Sequence, residues 1–391
     1  MGGPHNKTRR RRIARDLTTL TALSAAAFAA LAGGPASLVA GASAHTGPRV
    51  TVALYGDSVV EAYTVPNFLK NGLSPLLEDG LVAAGFSRGG SGFIPATPFR
   101  WKLKSRFAIG GMGNPQPTDG WLLNGFGTQT GLNGPSGYSA RAVSPLATAT
   151  APIDAPTVAV LFTKYAGGPT FTASAGGQTW AISTNSTGPA QPSELWLDVP
   201  AGATTLTITG PQSGQFIFAG AISRRPVEPG TVQTEVEDLG HMGHLLGQDL
   251  TQLVQESIVQ QQFNVSVFLG GYLYAEEANS QNTARRAKEY QSNLRKYVDL
   301  IRTYQGKCLI ADPSPLPVPA KLVARFNAID RSVAKAGGCT YTSALSHLWS
   351  PATSVAKGLT LVDDIHPTAA GYKLIVKALM PALKRLVRAS V

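Results

Sequence analysis

Val50-Thr51-Val52-Ala53-Leu54-Tyr55 is a short, nearly unbroken apolar run that stops at Gly56-Asp57-Ser58. A run of this length bounded by turn residues reads as a strand buried on both faces. A helix-like stretch through Leu81 follows it, and the alternation returns after Pro229. There a helix-like run over Leu245–Gln260 precedes the strand Val265–Leu269, and a polar helix from about Asn282 to Tyr304 precedes Leu309-Ile310-Ala311. A helix near Ala320–Ala336, the short Thr340-Tyr341 and a final helix over Ala369–Val387 complete the series. Strands alternating with helices predict an α/β fold with a parallel sheet covered on both faces. Ser58 then closes the first strand, at the carboxyl edge where such sheets hold their active sites. It also precedes a helix, whose first N–H groups can stabilise developing negative charge. Standing alone, Gly-Asp-Ser is better read as a common turn.

Between the two halves the texture changes. Residues 85–139 are rich in Gly, Pro and Asn with little periodicity, as in Arg88-Gly89-Gly90-Ser91-Gly92-Phe93, and a loop this long is usually functional or lines a domain junction. From 140 to 225 come short β-rich runs: Thr157–Thr163, Thr179–Ser183, Glu194–Val199, Thr204–Thr209 and Gln215–Ile222. Turn residues separate them at roughly ten-residue intervals, the spacing of a β-sandwich. The expected layout is an α/β domain over 45–139 and 226–391, split by a sandwich over 140–225.

Asp363-Asp364-Ile365-His366-Pro367-Thr368 stands directly before the last helix. An Asp three residues ahead of a His can accept the imidazole Nδ1–H, leaving Nε2 to take a proton from a serine hydroxyl. Alone, Asp-x-x-His fits a helix-capping loop or half a metal site equally well; no Cys/His/Asp cluster elsewhere supplies further ligands.

Together, Val52-Ala53-Leu54-Tyr55-Gly56-Asp57-Ser58 and Asp363-Asp364-Ile365-His366-Pro367-Thr368-Ala369-Ala370-Gly371-Tyr372 resemble the first and last blocks of the SGNH (GDSL-type) hydrolase superfamily. The resemblance implies a flavodoxin-like three-layer α/β/α hydrolase domain. It also makes Ser58 the nucleophile, His366 the general base and then acid, and Asp363 the orienting carboxylate, with no cofactor and no metal. The family often has Gly where Asp364 stands, so this chain adds a second carboxylate that can compete for His366 or raise its pKa. For the oxyanion hole the family uses the nucleophile's own N–H, a glycine N–H and an asparagine amide. Asp238-Leu239-Gly240-His241-Met242-Gly243-His244 is similar to the second block and puts Gly243 at the donor position. Phe268-Leu269-Gly270-Gly271-Tyr272 keeps the third block's strand and glycines but has Tyr272 in place of the asparagine. Losing one such donor costs about 10²–10³ in rate, so the Tyr272 hydroxyl, Asn279 or the Gly89–Phe93 loop has to replace it. Members with a jelly-roll-like sandwich between the first and second blocks resemble bacterial peptidoglycan O-acetylesterases, in which the insertion is carbohydrate-binding-module-like.

Lys7 to Arg15 form a basic run, followed by an Ala/Leu-rich stretch and Ala42-Ser43-Ala44, the order of a cleavable signal peptide over 1–44. An uncleaved anchor is the alternative, although Gly33-Gly34-Pro35 interrupts the apolar stretch. This segment carries five of the +11 formal charges and leaves +6 over 347 residues, so the charge argues for export more than for nucleic acid, which no motif supports. No later window is apolar enough to span a bilayer. In an oxidising compartment Cys308 and Cys339, each at the start of a strand-like run, can pair across neighbouring strands; the alternative is two buried thiols.

Trp180 and Trp196 lie in β-runs, where core packing is the commoner role and stacking on a sugar the alternative; Trp101 and Trp121 are better placed to line a cleft. His241, His244 and His347 read as packing or surface residues, the first two flanking Gly243. The basic set Lys373, Lys377, Lys384, Arg385 and Arg388 reads as a solvated face of the last helix. Two functions remain open: a secreted or wall-associated serine esterase or acyltransferase acting on O-acylated cell-wall polysaccharide, or a catalytically weak relative that binds wall glycan.

Overall fold

The computed structural model describes residues 48–61, 71–90, 92–95, 108–109, 121–124, 139–240, 263–270 and 282–391. In chain order they form β1 (Arg49–Gly56), α1 (Ser58–Glu61), α2 (Leu73–Ala83), β2 (Ser87–Arg88), β3 (Gly92–Pro95), β4 (Ala108–Ile109), β5 (Trp121–Asn124), β6 (Ser139–Ala142) and β7 (Thr148–Pro152). Next come β8 (Thr157–Lys164), β9 (Thr170–Ala175), β10 (Gln178–Ser183), β11 (Gln191–Asp198), β12 (Thr205–Thr209), β13 (Phe216–Arg224) and β14 (Gln233–Gly240). The chain continues through β15 (Val265–Leu269), α3 (Thr283–Thr303), β16 (Lys307–Ala311), α4 (Ala320–Gly337), β17 (Thr340–Thr342), α5 (Pro351–Ser354) and α6 (Ala369–Arg388).

The first sheet has the order β17-β16-β15-β1-β14-β2, and every pair in it is parallel. Without the short edge strand β2, this is the 2-1-3-4-5 order of flavodoxin-like sheets, with the direction of winding changing at β1. Val50 to Tyr55 and all of β15 are buried, as central strands covered on both faces must be. The helices pack as two pairs. An ideal Cβ on Gly80 of α2 would lie 2.8 Å from Met380 Sδ of α6, and one on Gly337 of α4 would lie 2.2 Å from Val298 Cγ1 of α3. In α3 the residues Tyr290, Leu294, Tyr297, Val298 and Ile301 recur at helical spacing and are buried. Tyr297 meets Tyr55 of β1 edge-on and Phe268 of β15 at a tilt, both with centroids 5.4 Å apart.

Two antiparallel sheets follow, in the orders β10-β9-β12-β7-β4 and β11-β8-β13-β6-β5, with β3 also pairing β13. They share one apolar cluster, in which Phe171 of β9 stacks on Phe216 of β13 at 3.9 Å and meets Phe162 of β8 edge-on at 5.4 Å. The second sheet is apolar on both faces. Val158, Val160 and Phe162 of β8 enter this cluster, whereas Ala159 and Leu161 join the core of the parallel sheet. Through that double burial β8 belongs to both apolar cores.

The Gly-rich stretch 85–139, expected as loop, supplies β2, β3, β4 and β5. Its strands are two to four residues long and take their pairing from β14, β13, β7 and β6, so they leave little periodicity in the sequence. β14 is also absent from the sequence reading, because Glu235, Glu237 and Asp238 make it look solvated. Glu235 is fully buried and accepts both bonds of the Arg224 Nε–H, at 2.9 and 2.8 Å, with Arg49 at 3.6 Å. Glu237 accepts the Phe93 N–H of β3, and burial with Glu235 beside it pushes its carboxyl well above the ordinary range. The predicted run Leu245–Gln260 lies outside the described residues.

Cys308 of β16 and Cys339, just before β17, form a disulfide with their Cα atoms 4.8 Å apart. The parallel pairing of these strands brings their starts together, so the pairing alternative for the two cysteines is the one the fold adopts. Among the described residues no helix is long and apolar enough to cross a membrane.

Candidate active site

The turn after β1 depends on a residue without a side chain. An ideal Cβ on Gly56 would lie 2.4 Å from Val60 Cγ2 and 2.9 Å from the Leu269 carbonyl oxygen, so only glycine lets α1 fold back against the strand ends. Asp57 then organises the helix start: its Oδ1 accepts the Val59 N–H at 2.9 Å, and its carbonyl accepts the Val60 N–H at 3.0 Å. This sets the backbone of Ser58 at the first position of α1, just past the carboxyl end of the sheet's switch-point strand.

The same edge gathers the roots of the two glycine-bearing blocks. Gly56 pairs with Gly240 at the end of β14, and Tyr55 pairs with Phe268, two residues before Gly270. The Gly240 N–H is held by Asp238 Oδ1 at 3.1 Å. Gly243, Tyr272 and Asn279, three of the candidates for completing an oxyanion hole, lie outside the described residues, as do His241 and His244; in the Gly89–Phe93 loop, the Phe93 N–H donates to Glu237.

The Asp363–His366 loop is held by a strap from the preceding segment. Thr360 bridges Pro367, the Leu361 N–H donates to the His366 carbonyl at 2.8 Å, and the Thr368 N–H donates to the Leu359 carbonyl at 2.9 Å. Thr368 caps α6 by accepting the Gly371 N–H at 3.3 Å. A Cβ on Gly371 would fall 2.2 Å from the Leu359 carbonyl oxygen, which explains a glycine inside the first turn. Within the loop, Asp363 Oδ2 meets His366 Nδ1 at 2.7 Å, while Oδ1 accepts the backbone N–H groups of Ile365 at 2.9 Å and His366 at 3.0 Å. Burial works to raise the Asp363 carboxyl, but the His366 N–H, its ring and the Ile365 N–H together hold it below the ordinary value. It therefore stays an anion beside the imidazole and fixes Nδ1 as the donor, which turns Nε2 towards proton transfer.

The expected competition from Asp364 does not arise. Its backbone is left-handed, with φ of 60°, and its Oδ1 lies 3.0 Å from the Ser354 hydroxyl instead of on the imidazole.

Tyr372 was visible in the sequence without an assigned role. Its ring is fully buried, and its hydroxyl donates to the Val59 carbonyl at 2.7 Å, across 313 residues of chain. This bond ties the helix that follows His366 to the helix that begins at Ser58. A tyrosine on the apolar stripe of a helix needs a partner for its hydroxyl, which is the signal that points to such a role. Trp180 is partly buried against the apolar cluster of the antiparallel sheets, and Trp196 is partly buried against the parallel-sheet core with the Arg224 guanidinium 4.8 Å from its ring centre. Trp101 lies outside the described residues. Among the described residues, no group of three or more His, Cys, Asp or Glu side chains could hold a metal.

No protein-family profile matches the chain, and no curated protein is similar to it. Solved structures are. A structure titled "Peptidoglycan O-acetylesterase in action" is 18% identical with a TM-score of 0.64, over 88% of this chain and 93% of its own. A family two carbohydrate esterase from Cellvibrio japonicus is 12% identical with a TM-score of 0.33, over 69% of this chain and 96% of its own. An acetylxylan esterase from Geobacillus stearothermophilus, in a catalytic-mutant form, is 15% identical with a TM-score of 0.32, over 40% and 73%. The chain has an SGNH-hydrolase-like fold.

Proposed function

We propose that this chain is an exported serine esterase that removes O-acyl groups, acetyl first among them, from cell-wall polysaccharide. The observation that carries the proposal is the 2.7 Å Asp363–His366 bond, in a loop whose following helix is tied to the Ser58 helix by the Tyr372–Val59 hydrogen bond. Ser58 Oγ attacks the ester carbonyl as His366 Nε2 takes its proton. The tetrahedral oxyanion collapses, and the sugar hydroxyl leaves with the proton from His366. Water, deprotonated by the same nitrogen, then releases the carboxylic acid and restores Ser58. The Ser58 N–H, the Gly243 N–H and the Tyr272 hydroxyl are the proposed oxyanion donors.

The glycan part of the proposal draws on the likeness to the peptidoglycan O-acetylesterase, which covers 88% of this chain. Those sheets act as an inserted β-sandwich that shapes the glycan side of the cleft. Export is supported by the basic run and the Ala42-Ser43-Ala44 site, and by a disulfide of the kind that oxidising compartments preserve. The test is acetate release from O-acetylated peptidoglycan and p-nitrophenol release from p-nitrophenyl acetate, by the full chain and by Ser58→Ala. Activity lost in the variant supports the proposal. Equal slow release by both proteins, with glycan still bound, favours the wall-binding reading instead.

A further inference from the structure

We infer that Asp364 is a positioning residue, whose carboxylate, tethered to the buried Ser354 hydroxyl, fixes the turn that aims Asp363 and His366. The inference rests on the esterase reading for its effect on rate, and on geometry alone for its effect on the Asp363–His366 bond.

The carboxylate of Asp363 collects three donors only because the chain reverses at the next residue. The Asp364 N–H closes a turn onto the Leu361 carbonyl at 3.0 Å, and the left-handed φ of 60° at Asp364 swings the N–H groups of Ile365 and His366 back onto Asp363 Oδ1. A non-glycine residue holds that conformation only against a steric penalty, which Asp and Asn tolerate best. Something has to keep it there, and Ser354 is placed to do so.

Ser354 ends the short helix α5 and is fully buried. Its oxygen accepts the Thr360 hydroxyl at 2.8 Å, so its single proton has two acceptors in reach: the Pro351 carbonyl at 2.9 Å and Asp364 Oδ1 at 3.0 Å. At nearly equal distances the ionised acceptor wins, because a charge-assisted bond is roughly twice as strong as a neutral one. Thr360 is itself buried and bridges Pro367, next to His366. A Thr360–Ser354–Asp364 chain of hydrogen bonds thus grips the catalytic loop from both ends. The second carboxylate, which in the sequence looked like a rival for His366, is drawn away from the imidazole and used to hold it.

The test compares the full-length chain with Asp364→Asn, Asp364→Gly, Asp364→Ala, Ser354→Ala and the Asp364→Gly/Ser354→Ala double variant. Two readouts are taken well below the unfolding transition: kcat and KM on an acetyl ester, and the low-field proton resonance of His366 Nδ1–H. Asp364→Asn keeps an acceptor and tolerates the left-handed turn, so it retains the resonance and kcat within about three-fold. Asp364→Gly and Ser354→Ala each weaken the resonance and lower kcat about ten-fold at unchanged KM, the kinetic equivalent of one hydrogen bond. The double variant falls no further, because both changes cut one tether. Asp364→Ala falls below either. Wild-type resonance and kcat in both Asp364→Gly and Ser354→Ala would overturn the inference, leaving residue 364 with a backbone role only. If the wild-type chain hydrolyses no ester and a fluorophosphonate does not label Ser58, the esterase reading fails separately, and the resonance across the set still decides the tether.

Discussion

Glu78 makes the stability of this fold depend on pH, and Glu78→Gln isolates its share. The side chain points from α2 onto β14, where its Oε1 accepts the Thr234 hydroxyl at 3.1 Å. The residue is 3% exposed, and burial pushes its carboxyl from the ordinary 4.5 up to about 8, against the opposing pull of Thr234 and Arg88. In the folded chain Glu78 is therefore protonated at neutral pH, while in the unfolded chain it is ionised. The folded state binds the extra proton, so this stabilisation is complete below the unfolded value and is lost as pH rises through the folded one. Between pH ~5 and ~8 the wild type should lose about 3–4 kcal/mol through this one group, which is a large part of a typical domain's stability. Glutamine copies the shape of the protonated acid and does not titrate, so the variant lacks this component. The assay is urea unfolding of both proteins at the two pH values. The difference in unfolding free energy, variant minus wild type, should grow by ~3 kcal/mol from the lower pH to the higher. A difference that stays constant with pH would refute the reasoning, since every other titrating group is common to both chains.

Asp363→Asn should lower kcat by about 10²–10⁴ with little change in KM, because asparagine can present an N–H to Nδ1 and favour the wrong tautomer; ester hydrolysis kinetics check this. Replacing Cys308 and Cys339 together with alanine should lower stability by about 3–4 kcal/mol, from the 31-residue separation that the bond closes, while kcat at 25 °C stays near wild type; thermal unfolding with and without reductant measures it. Gly56→Ala should cost about 1–3 kcal/mol of stability and also slow Ser58 labelling by a fluorophosphonate, because the new Cβ pushes on Val60 and the Leu269 carbonyl at the root of α1. Labelling at the wild-type rate would show that the turn absorbs the methyl group without moving Ser58.

The sequence carried the α/β half of this fold because its strands, buried on both faces, are continuous apolar runs and its helices have clear apolar stripes. Val50–Tyr55, Val265–Leu269, α3 and α6 were all legible for that reason. The same holds for Asp363-x-x-His366, where a three-residue spacing is enough for the carboxylate to reach the imidazole. Cys308 and Cys339 were readable as neighbours once their strands were seen to start together, though whether they bonded was left to the fold.

What the sequence could not settle was held by contacts between distant residues. β14 looked polar because the cations that neutralise Glu235 come from β13 and β1, and the short strands of 85–139 have no pattern apart from the partners that pair with them. The two carboxylates Asp363 and Asp364 are chemically identical in the sequence. Only the tertiary structure separates them, because a left-handed residue turns one towards Ser354 and leaves the other on His366. Tyr372 reaches Val59 for the same kind of reason: a hydrogen bond across 313 residues exists only after the sheet has placed the first and last blocks side by side. Local periodicity and short-range reach were written in the chain. The aim of each candidate catalytic group was decided by packing.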